Sequence, residues 1–277
     1  MTTHTDAILV LGSTGKTGRR LVSILRAADR PVRAASRSGE VRFDWFDRET
    51  WATALDGAAA VYLVAPGDPA PVRPFVGQAV EAGVRRFVVL SGRGIDQVPA
   101  GVFRGMAAAE RAVRDSGAEW TVIRPNNFSQ NFDEDLWHAP LRAGRLALPI
   151  GSVPEPFVDA QDIADVAAVL LTSEGHHGRV YDLSGPRALT FGAAVETIAE
   201  AAGRAIRYEE LTPREYRAGL LAEGVPEEAV GELDAMFAMM RAGHLAEPGD
   251  GVQRVLGREP SDFGAYASRA AAAGAWS

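Results

Sequence analysis

The sequence has no cysteine and only one lysine, Lys16, among its 277 residues. Without cysteine the chain can form no disulfide, no thiolate nucleophile and no iron–sulfur or cysteine–zinc site. Apolar runs of 18 or more residues are also missing, which argues against a membrane-spanning helix. The residues before the first apolar run are few and polar, so we expect no signal peptide and a cytoplasmic protein.

Acidic residues outnumber basic residues, and nearly all of the basic residues are arginines. The formal net charge is −7, and 28 of the 29 basic residues are arginines. No basic cluster resembles a nucleic-acid-binding face, so we expect no nucleic-acid partner. The adjacent residues His176 and His177 point apart on a strand or a helix, and we predict no metal site. The single lysine also excludes a Tyr-x-x-x-Lys pair outside the loop that carries it.

The chain instead alternates short apolar runs with longer amphipathic segments, which is typical of βαβ units around a parallel sheet. Strands are predicted at residues 7–11, 32–36, 41–43, 60–64, 87–90, 120–124 and 180–183. Helices are predicted at residues 17–28, 49–55, 72–82, 107–116, 162–171 and 191–202, with a pair between 213 and 242. The tail at residues 270–275 carries little pattern, and we expect it to fray.

These elements predict one doubly wound α/β unit of the Rossmann type over residues 1–277. Residues 1–150 are expected to bind mainly the cofactor. Residues 151–277 are expected to form a small helical region on the substrate side of the cleft. The pattern leaves open whether the protein is a monomer or a homodimer.

A glycine-rich loop follows the first predicted strand and opens the first predicted helix. Its residues are Gly12, Ser13, Thr14, Gly15, Lys16, Thr17 and Gly18. In this context the three glycines predict a tight turn, a close approach of the backbone to a pyrophosphate, and close packing of the helix on the sheet. The anion would bind the unpaired N–H groups at the helix start. The alternative is a purely structural glycine turn.

The end of the second predicted strand distinguishes between the two dinucleotides. An NAD enzyme usually carries Asp or Glu there to bind the ribose hydroxyls. This chain has Arg37 at that point and no acid before Glu40. Arg37 would meet a 2′-phosphate, so we predict NADP(H), with a solvated loop arginine as the alternative.

Several further segments occur in the order found in one family: Phe43-Asp44-Trp45-Phe46-Asp47, residues 60–66, residues 84–91, residues 119–125, Pro156-Phe157-Val158 and Gly257-Arg258-x-Pro260. Together with the glycine loop, they resemble the NmrA-like atypical short-chain dehydrogenases. Within that group the chain is similar to the ergot-alkaloid type, the festuclavine synthases and agroclavine dehydrogenases. The resemblance implies a Rossmann fold, NADP(H), and reduction of an imine, iminium, quinone or related acceptor.

By matching position, the resemblance implies cofactor contacts at two loops. Asp44 and Trp45 would flank the adenine, and Ala65 and Pro66 would line the diphosphate and ribose. The alternative for Asp44 is an ordinary turn residue. Core packing is the alternative for Trp45, as it is for the neighbouring Phe46 and Trp51.

The resemblance also implies residues for the reacting end of the site. Ser91 would lie beside the nicotinamide, and Asn126, Asn127 and Phe128 would enter the pocket. The chain departs from many relatives at Met106, where they carry His or Lys. Ser91, Asn127 or a water molecule would then supply the polar contact.

The sequence contains no Tyr-x-x-x-Lys pair, because none of its five tyrosines has a lysine four residues later. A reductase without this acid is suited to activated acceptors, such as iminium ions, quinones or polycyclic ketones, which need little protonation. We predict Ser91, Asn127 and His138 as catalytic residues, with an ordinary loop histidine as the alternative for His138. The expected substrate is a small aromatic or heterocyclic molecule of natural-product tailoring or detoxification. The competing hypothesis is a non-catalytic, NADP(H)-binding redox sensor of the NmrA type.

Overall fold

The computed structural model describes residues 6–97 and 101–277. The strands there are β1 (Ala7–Leu11), β2 (Val32–Ser36), β3 (Val41–Arg42), β4 (Ala58–Val64), β5 (Arg86–Leu90), β6 (Glu119–Pro125), β7 (Arg145–Leu148), β8 (Arg179–Leu183) and β9 (Arg207–Glu210). The helices are α1 (Lys16–Ala27), α2 (Glu49–Leu55), α3 (Val72–Glu81), α4 (Arg104–Arg114), α5 (His138–Arg142), α6 (Ala160–Thr172), α7 (Phe191–Ala202), α8 (Pro213–Ala222), α9 (Glu227–Arg241), α10 (Gly251–Leu256) and α11 (Phe263–Ala272).

The central sheet is parallel and has the strand order β3-β2-β1-β4-β5-β6-β8. The chain moves outwards from β1 in one direction and then, from β4, in the other. The order therefore reverses between β1 and β4, and ligands of such sheets bind at the carboxyl ends of the strands beside that reversal. The predicted Rossmann-type fold is confirmed.

Both faces of the sheet are covered, so its strands are buried on both sides. Because side chains alternate along a strand, Ile8 and Val10 join the core under α1 and α6, whereas Leu9 and Leu11 join the core under α2, α3 and α4. Four predicted elements, β1, β2, α2 and α7, have the predicted bounds. Others differ by a few residues; α4, for example, begins at Arg104 rather than at residue 107.

A third core is formed by residues between 132 and 276, and it contains many aromatic rings. Phe132 contacts the rings of Trp137, Phe157 and Phe263 at centroid distances of 4.7 to 5.3 Å. Around this core lie α7, α11 and a second, two-stranded parallel sheet, β7-β9. The sequence analysis missed β7, β9, α5, α10 and α11.

The expectation that residues 270–275 fray is wrong. Helix α11 continues to Ala272, and Trp276 is fully buried. Its indole nitrogen donates a hydrogen bond to the carbonyl oxygen of Phe132 at 2.9 Å. The bulky aromatic after the alanine run anchors this tail to the third core. Among the described residues, no helix is long and apolar enough to cross a membrane.

Candidate cofactor and substrate site

The glycine loop connects β1 to α1 at the carboxyl edge of the sheet. Gly12 has a φ of +65°, and Gly15 begins α1 without any side-chain hydrogen bond to the exposed N–H groups. A Cβ atom at Gly18 would lie 2.1 Å from the carbonyl oxygen of Gly12. Gly18 thus lets the helix close onto the loop's own backbone, a contact that the sequence analysis assigned to the sheet. The result is an uncapped helix N-terminus, suited to an anion.

The side chains of this loop divide between the cleft and the core. Thr14, Gly15, Lys16 and Thr17 line the cleft, whereas Ser13 is buried outside it. The hydroxyl of Thr17 accepts a hydrogen bond from the buried Tyr62 at 3.0 Å. Burial raises the pKa of Tyr62 well above its usual range, so its hydroxyl stays protonated.

The cleft beside the loop encloses about 550 Å³ and runs along the ends of β2, β3 and β4. Ser36 and Arg37 line it at the end of β2. The Ser36 hydroxyl is buried and has no hydrogen-bond partner among the described residues. Glu40 instead forms an ion pair with Arg26 of α1, at 2.6 Å, and does not line the cleft. The Ser36 hydroxyl, which has no partner among the described residues, and the exposed Arg37 guanidinium fit the 2′-phosphate of NADP(H). Glu40 is paired with Arg26 and does not oppose this phosphate.

The loop after β3 forms the opposite wall through Asp44, Trp45 and Phe46. Asp44 is both a cleft residue and a turn residue, because its carboxylate accepts a hydrogen bond from the Phe46 N–H at 3.0 Å. Trp45 combines two roles as well: its ring packs against Phe75 at 4.9 Å and its indole nitrogen donates to the Val64 carbonyl oxygen at 3.1 Å, and the residue also lines the cleft. Core packing is wrong for Phe46, which is 68% exposed, and correct for the buried Trp51.

Ala65 and Pro66 line the cleft after β4, at the position predicted for them. Their loop is fixed from behind by Gly105 of α4. A Cβ atom there would lie 1.6 Å from the carbonyl oxygen of Pro66, so only glycine allows this contact. This role of Gly105 was not predicted, because the residue lies before the helix predicted at 107–116, whereas it stands in the first turn of α4 as observed.

A second cavity, of about 290 Å³, continues from the cofactor cleft. We call it the acceptor cavity. Five residues line both spaces: Lys16, Val64, Ala65, Leu90 and Phe128. The remaining wall is mainly apolar and includes Met106 together with Met236, Met239 and Met240 of α9. Methionine side chains adapt to ligands of different shape, and this wall therefore suits a bulky apolar molecule.

Ser91 lines the acceptor cavity, but its hydroxyl is engaged from the other side. It donates a hydrogen bond of 2.6 Å to Glu110. Glu110 is 3% exposed and also accepts hydrogen bonds from Arg114 and, through both oxygens, from Arg124. Burial alone would raise the pKa of Glu110, but the hydrogen bonds from Arg124 and Ser91 and the neighbouring charges lower it. Ser91 therefore belongs to a buried charged network behind the cavity.

Asn126 and Asn127 both line the acceptor cavity, but their side-chain amides differ in how many hydrogen bonds they already make within the protein. Asn126 is fully engaged: its oxygen accepts from Arg93 at 2.9 Å, and its nitrogen donates to Glu155 and to the carbonyl oxygen of Leu245. The backbone N–H of Asn127 also donates to Glu155, whose pKa is raised by burial.

The side-chain amide of Asn127 is less engaged than that of Asn126. Its nitrogen donates a weak hydrogen bond to the Met240 sulfur at 3.7 Å, and the amide also interacts with Glu155, where it opposes the rise of the pKa. Thioether sulfur is a weak acceptor, so Asn127 keeps a donor for a ligand.

His138 lies away from the acceptor cavity, contrary to the expectation that it reaches the substrate. Its Nε2 atom is 2.7 Å from the carbonyl oxygen of Ala275, and the residue lines neither space. The acids before it are paired as well. Asp135 binds Lys16 at 2.5 Å, and Glu134 binds Arg19 and Arg20. These ion pairs therefore hold the loop after β6 against the first turns of α1.

No tyrosine is among the described residues that line the acceptor cavity. Tyr62 is bound to Thr17, Tyr181 to His176 and Tyr266 to Asp133, each within 3.0 Å. Tyr208 contacts Glu210, and Tyr216 packs against Phe237. Within residues 6–97 and 101–277, no group of three or more potential metal ligands is brought together.

The parallel sheet, the uncapped glycine loop and the cleft beside that loop are typical of a dinucleotide-binding protein of the Rossmann class. The sequence profile of the NAD(P)H-binding family matches residues 12–174. The chain belongs to this family, and the predicted NADP(H)-type cofactor is confirmed.

Relatives and solved structures extend the similarity over nearly the whole chain. The NAD(P)H azoreductase of Xenophilus azovorans is 31% identical, covering 96% of this chain and 98% of the relative. Festuclavine synthase I of Penicillium roqueforti is 30% identical, covering 94% and 96%. The structure of Citrobacter sp. triphenylmethane reductase with NADP(H) aligns with a TM-score of 0.79 at 21% identity, over 96% and 99% of the two chains. The resemblance to the ergot-alkaloid type is confirmed, and the protein is an oxidoreductase of this family.

Proposed function

We propose that the protein is an NADPH-dependent reductase of bulky, conjugated acceptors such as quinones, azo compounds, imines, iminium ions and polycyclic ketones. The observation that carries this proposal is the continuity of the cofactor cleft with an apolar acceptor cavity whose described lining contains no tyrosine. When bound, NADPH would supply the hydride for this reduction. The azoreductase relative, whose name specifies a conjugated N=N acceptor, supports the same class.

Different residues of the cleft would bind different parts of the cofactor. The N–H groups at the start of α1 and the ammonium group of Lys16 would hold the pyrophosphate. Arg37 and the unpaired Ser36 hydroxyl would hold the 2′-phosphate, which favours NADPH over NADH. Trp45 and the exposed Phe46 would enclose the adenine, with Asp44 fixing the turn between them.

In the acceptor cavity, Asn127 is the residue that we assign to the acceptor. Its amide would donate a hydrogen bond to the oxygen or nitrogen atom that gains charge during reduction. Ser91 and Asn126 shape the wall and are committed to internal hydrogen bonds. We leave His138 out, because its ring is bound to the C-terminal segment.

The absence of a tyrosine acid limits the acceptors that react well. A simple ketone becomes a strongly basic alkoxide, and the missing general acid would cost about 10²–10⁴-fold in rate. A quinone becomes a delocalised phenolate, which a single amide donor stabilises sufficiently. Conjugated acceptors are therefore expected to react faster than unactivated ketones of the same size.

The test is NADPH oxidation, followed by its absorbance, with matched quinones, azo dyes, cyclic imines, polycyclic ketones and aliphatic ketones. We expect turnover with the conjugated acceptors and a much lower rate with aliphatic ketones. Asn127→Ala should lower kcat with quinones about 10-fold or more and leave NADPH affinity unchanged, because only the acceptor contact is removed. Tight NADPH binding without consumption by any acceptor would support the redox-sensor hypothesis instead.

A further inference from the structure

The wall of the acceptor cavity carries positive charge. Two cationic residues line this cavity, Lys16 and Arg93, and no carboxylate residue is among its described lining. The undescribed residues 98–100 are Val, Pro and Ala, which carry no charge. Lys16 lies at the glycine loop and is paired with Asp135, so it belongs to the cofactor side.

Only one nitrogen atom of the Arg93 guanidinium group donates hydrogen bonds to the described part of the protein. Its Nη1 atom donates to the Asn126 oxygen at 2.9 Å and to the carbonyl oxygen of Glu247 at 2.5 Å. Its Nε atom is 3.7 Å from a carboxylate oxygen of Asp182, beyond hydrogen-bond distance. The Nη2 atom has no acceptor among the described residues. A guanidinium carries five N–H donors, and this one therefore has donors to spare.

The acidic residues near Arg93 are not among the described residues that line the cavity. Asp182 forms a long ion pair with the Arg93 Nε atom, Glu155 accepts hydrogen bonds from Asn126 and Asn127, and Glu247 contacts Arg93 through its carbonyl oxygen. The side chain of Arg93 is 14% exposed, so its charge is only weakly screened by water. A ligand in the cavity thus contacts a wall that contains Arg93 and, among its described residues, no carboxylate.

We propose that Arg93 forms an anion subsite in the acceptor cavity, so that the preferred acceptors carry a carboxylate, sulfonate or phosphate and cationic acceptors are disfavoured. This inference rests on the proposed reductase function and narrows its substrate class. Among the acceptors above, iminium ions become the least suited, because their charge would lie beside Arg93. The neutral donor of Asn127 remains available for the reacting carbonyl.

The experiment compares three naphthoquinones that differ in one substituent: none, a sulfonate, and a trimethylammonium group. Steady-state kcat/KM is measured for the wild type, Arg93→Met, Arg93→Lys and, as a control, Arg145→Met, an exposed arginine of β7 far from the cavity. Comparing each variant with the wild type for one acceptor cancels the intrinsic reactivity of that acceptor. We expect Arg93→Met to lower kcat/KM for the sulfonate about 10- to 100-fold more than for the neutral quinone. The cationic quinone should improve, and Arg93→Lys should restore much of the sulfonate preference.

An equal loss for all three acceptors would overturn the proposal, because it would mean that Arg93 only holds Asn126 and Glu247. A binding measurement covers the case in which Arg93→Met does not fold. In the wild type, naphthalene sulfonate should compete with the neutral quinone more strongly than neutral naphthol does, and this advantage should shrink with added salt. Equal inhibition by the two would refute the anion subsite. If the wild type reduces none of the quinones, the proposed function fails; if it reduces them without charge preference, only the role of Arg93 fails.

Discussion

The glycines of the loop provide a sharp test of the cofactor site, because two of them face different surroundings. Gly15 lines the cleft and has extended backbone angles that any residue can adopt. A Cβ atom there would be 3.2 Å from the Gly12 carbonyl oxygen, a tight contact that a small shift relieves. The side chain of Gly15→Val would then occupy the space of the pyrophosphate. Losing two charge-assisted hydrogen bonds of about 1.5 kcal/mol each should weaken NADPH binding at least about 100-fold, while the protein stays folded.

Gly18→Ala should behave differently, because its Cβ atom would overlap the Gly12 oxygen at 2.1 Å. Forcing extra volume into packed backbone costs about 1–3 kcal/mol, and each kcal/mol lowers Tm by roughly 2–4 °C. The control is Gly77→Ala in α3, where nothing lies within 4 Å of the added atom. The assays are NADPH fluorescence titration and thermal unfolding. Normal NADPH affinity in Gly15→Val would refute the assignment of this loop to the dinucleotide.

Arg37→Ala should weaken NADPH binding about 10- to 100-fold and leave NADH nearly unchanged, since only NADPH carries the 2′-phosphate; calorimetric titration checks this, with Arg42→Ala as control, and equal wild-type affinities for both cofactors would contradict it. Glu110→Gln should lower the free energy of unfolding in urea by about 1–3 kcal/mol, because the amide cannot replace the buried carboxylate in its ion pairs with Arg114 and Arg124, while Arg124 keeps its second ion pair, with Asp96. The folded pKa of Glu110 lies below its ordinary value of 4.5, so its stabilisation is present above that pH and is lost as pH falls further; the difference between wild type and Glu110→Gln should shrink there, and a constant difference would contradict the ion network. Replacing each of the five tyrosines by phenylalanine should leave most of the quinone reduction, whereas loss of about 10²-fold with any one would identify a tyrosine acid.

Periodicity predicted the central fold well, because its strands and helices are long and have buried faces. The alternation of Ile8, Leu9, Val10 and Leu11 between two cores is visible in the sequence as an uninterrupted apolar run. The missed strand β9 has the sequence RYEE, with no apolar pattern, and pairs with β7 only through tertiary context. The tail was misjudged because one anchoring residue, Trp276, outweighs the weak pattern of the alanines before it.

The site was predictable where a backbone motif carries it and less so where side-chain partners decide. The glycine loop and Arg37 lie at the cleft because motif and fold fix their positions together. The hydrogen bonds of Ser91 with Glu110 and of His138 with Ala275 join residues that are distant in sequence, so a sequence pattern does not predict them. Arg93 is a case of the same kind. It lies in the loop after β5, and loop arginines are usually exposed to solvent. The sequence pattern therefore does not indicate that Arg93 lines a cavity.

The position of Trp45 makes it an intrinsic fluorescent probe for cofactor binding, as distinct from acceptor binding. Of the five tryptophans, Trp45 alone is among the residues that line the cofactor cleft, and none is among the described residues of the acceptor cavity. Indole emission overlaps nicotinamide absorption, so NADPH arriving in the cleft would quench Trp45 by contact and energy transfer. A non-absorbing acceptor analogue would leave that emission nearly unchanged. Rapid-mixing fluorescence can therefore time cofactor arrival separately from acceptor arrival, in the unlabelled protein, with Trp45→Phe as the silent reference.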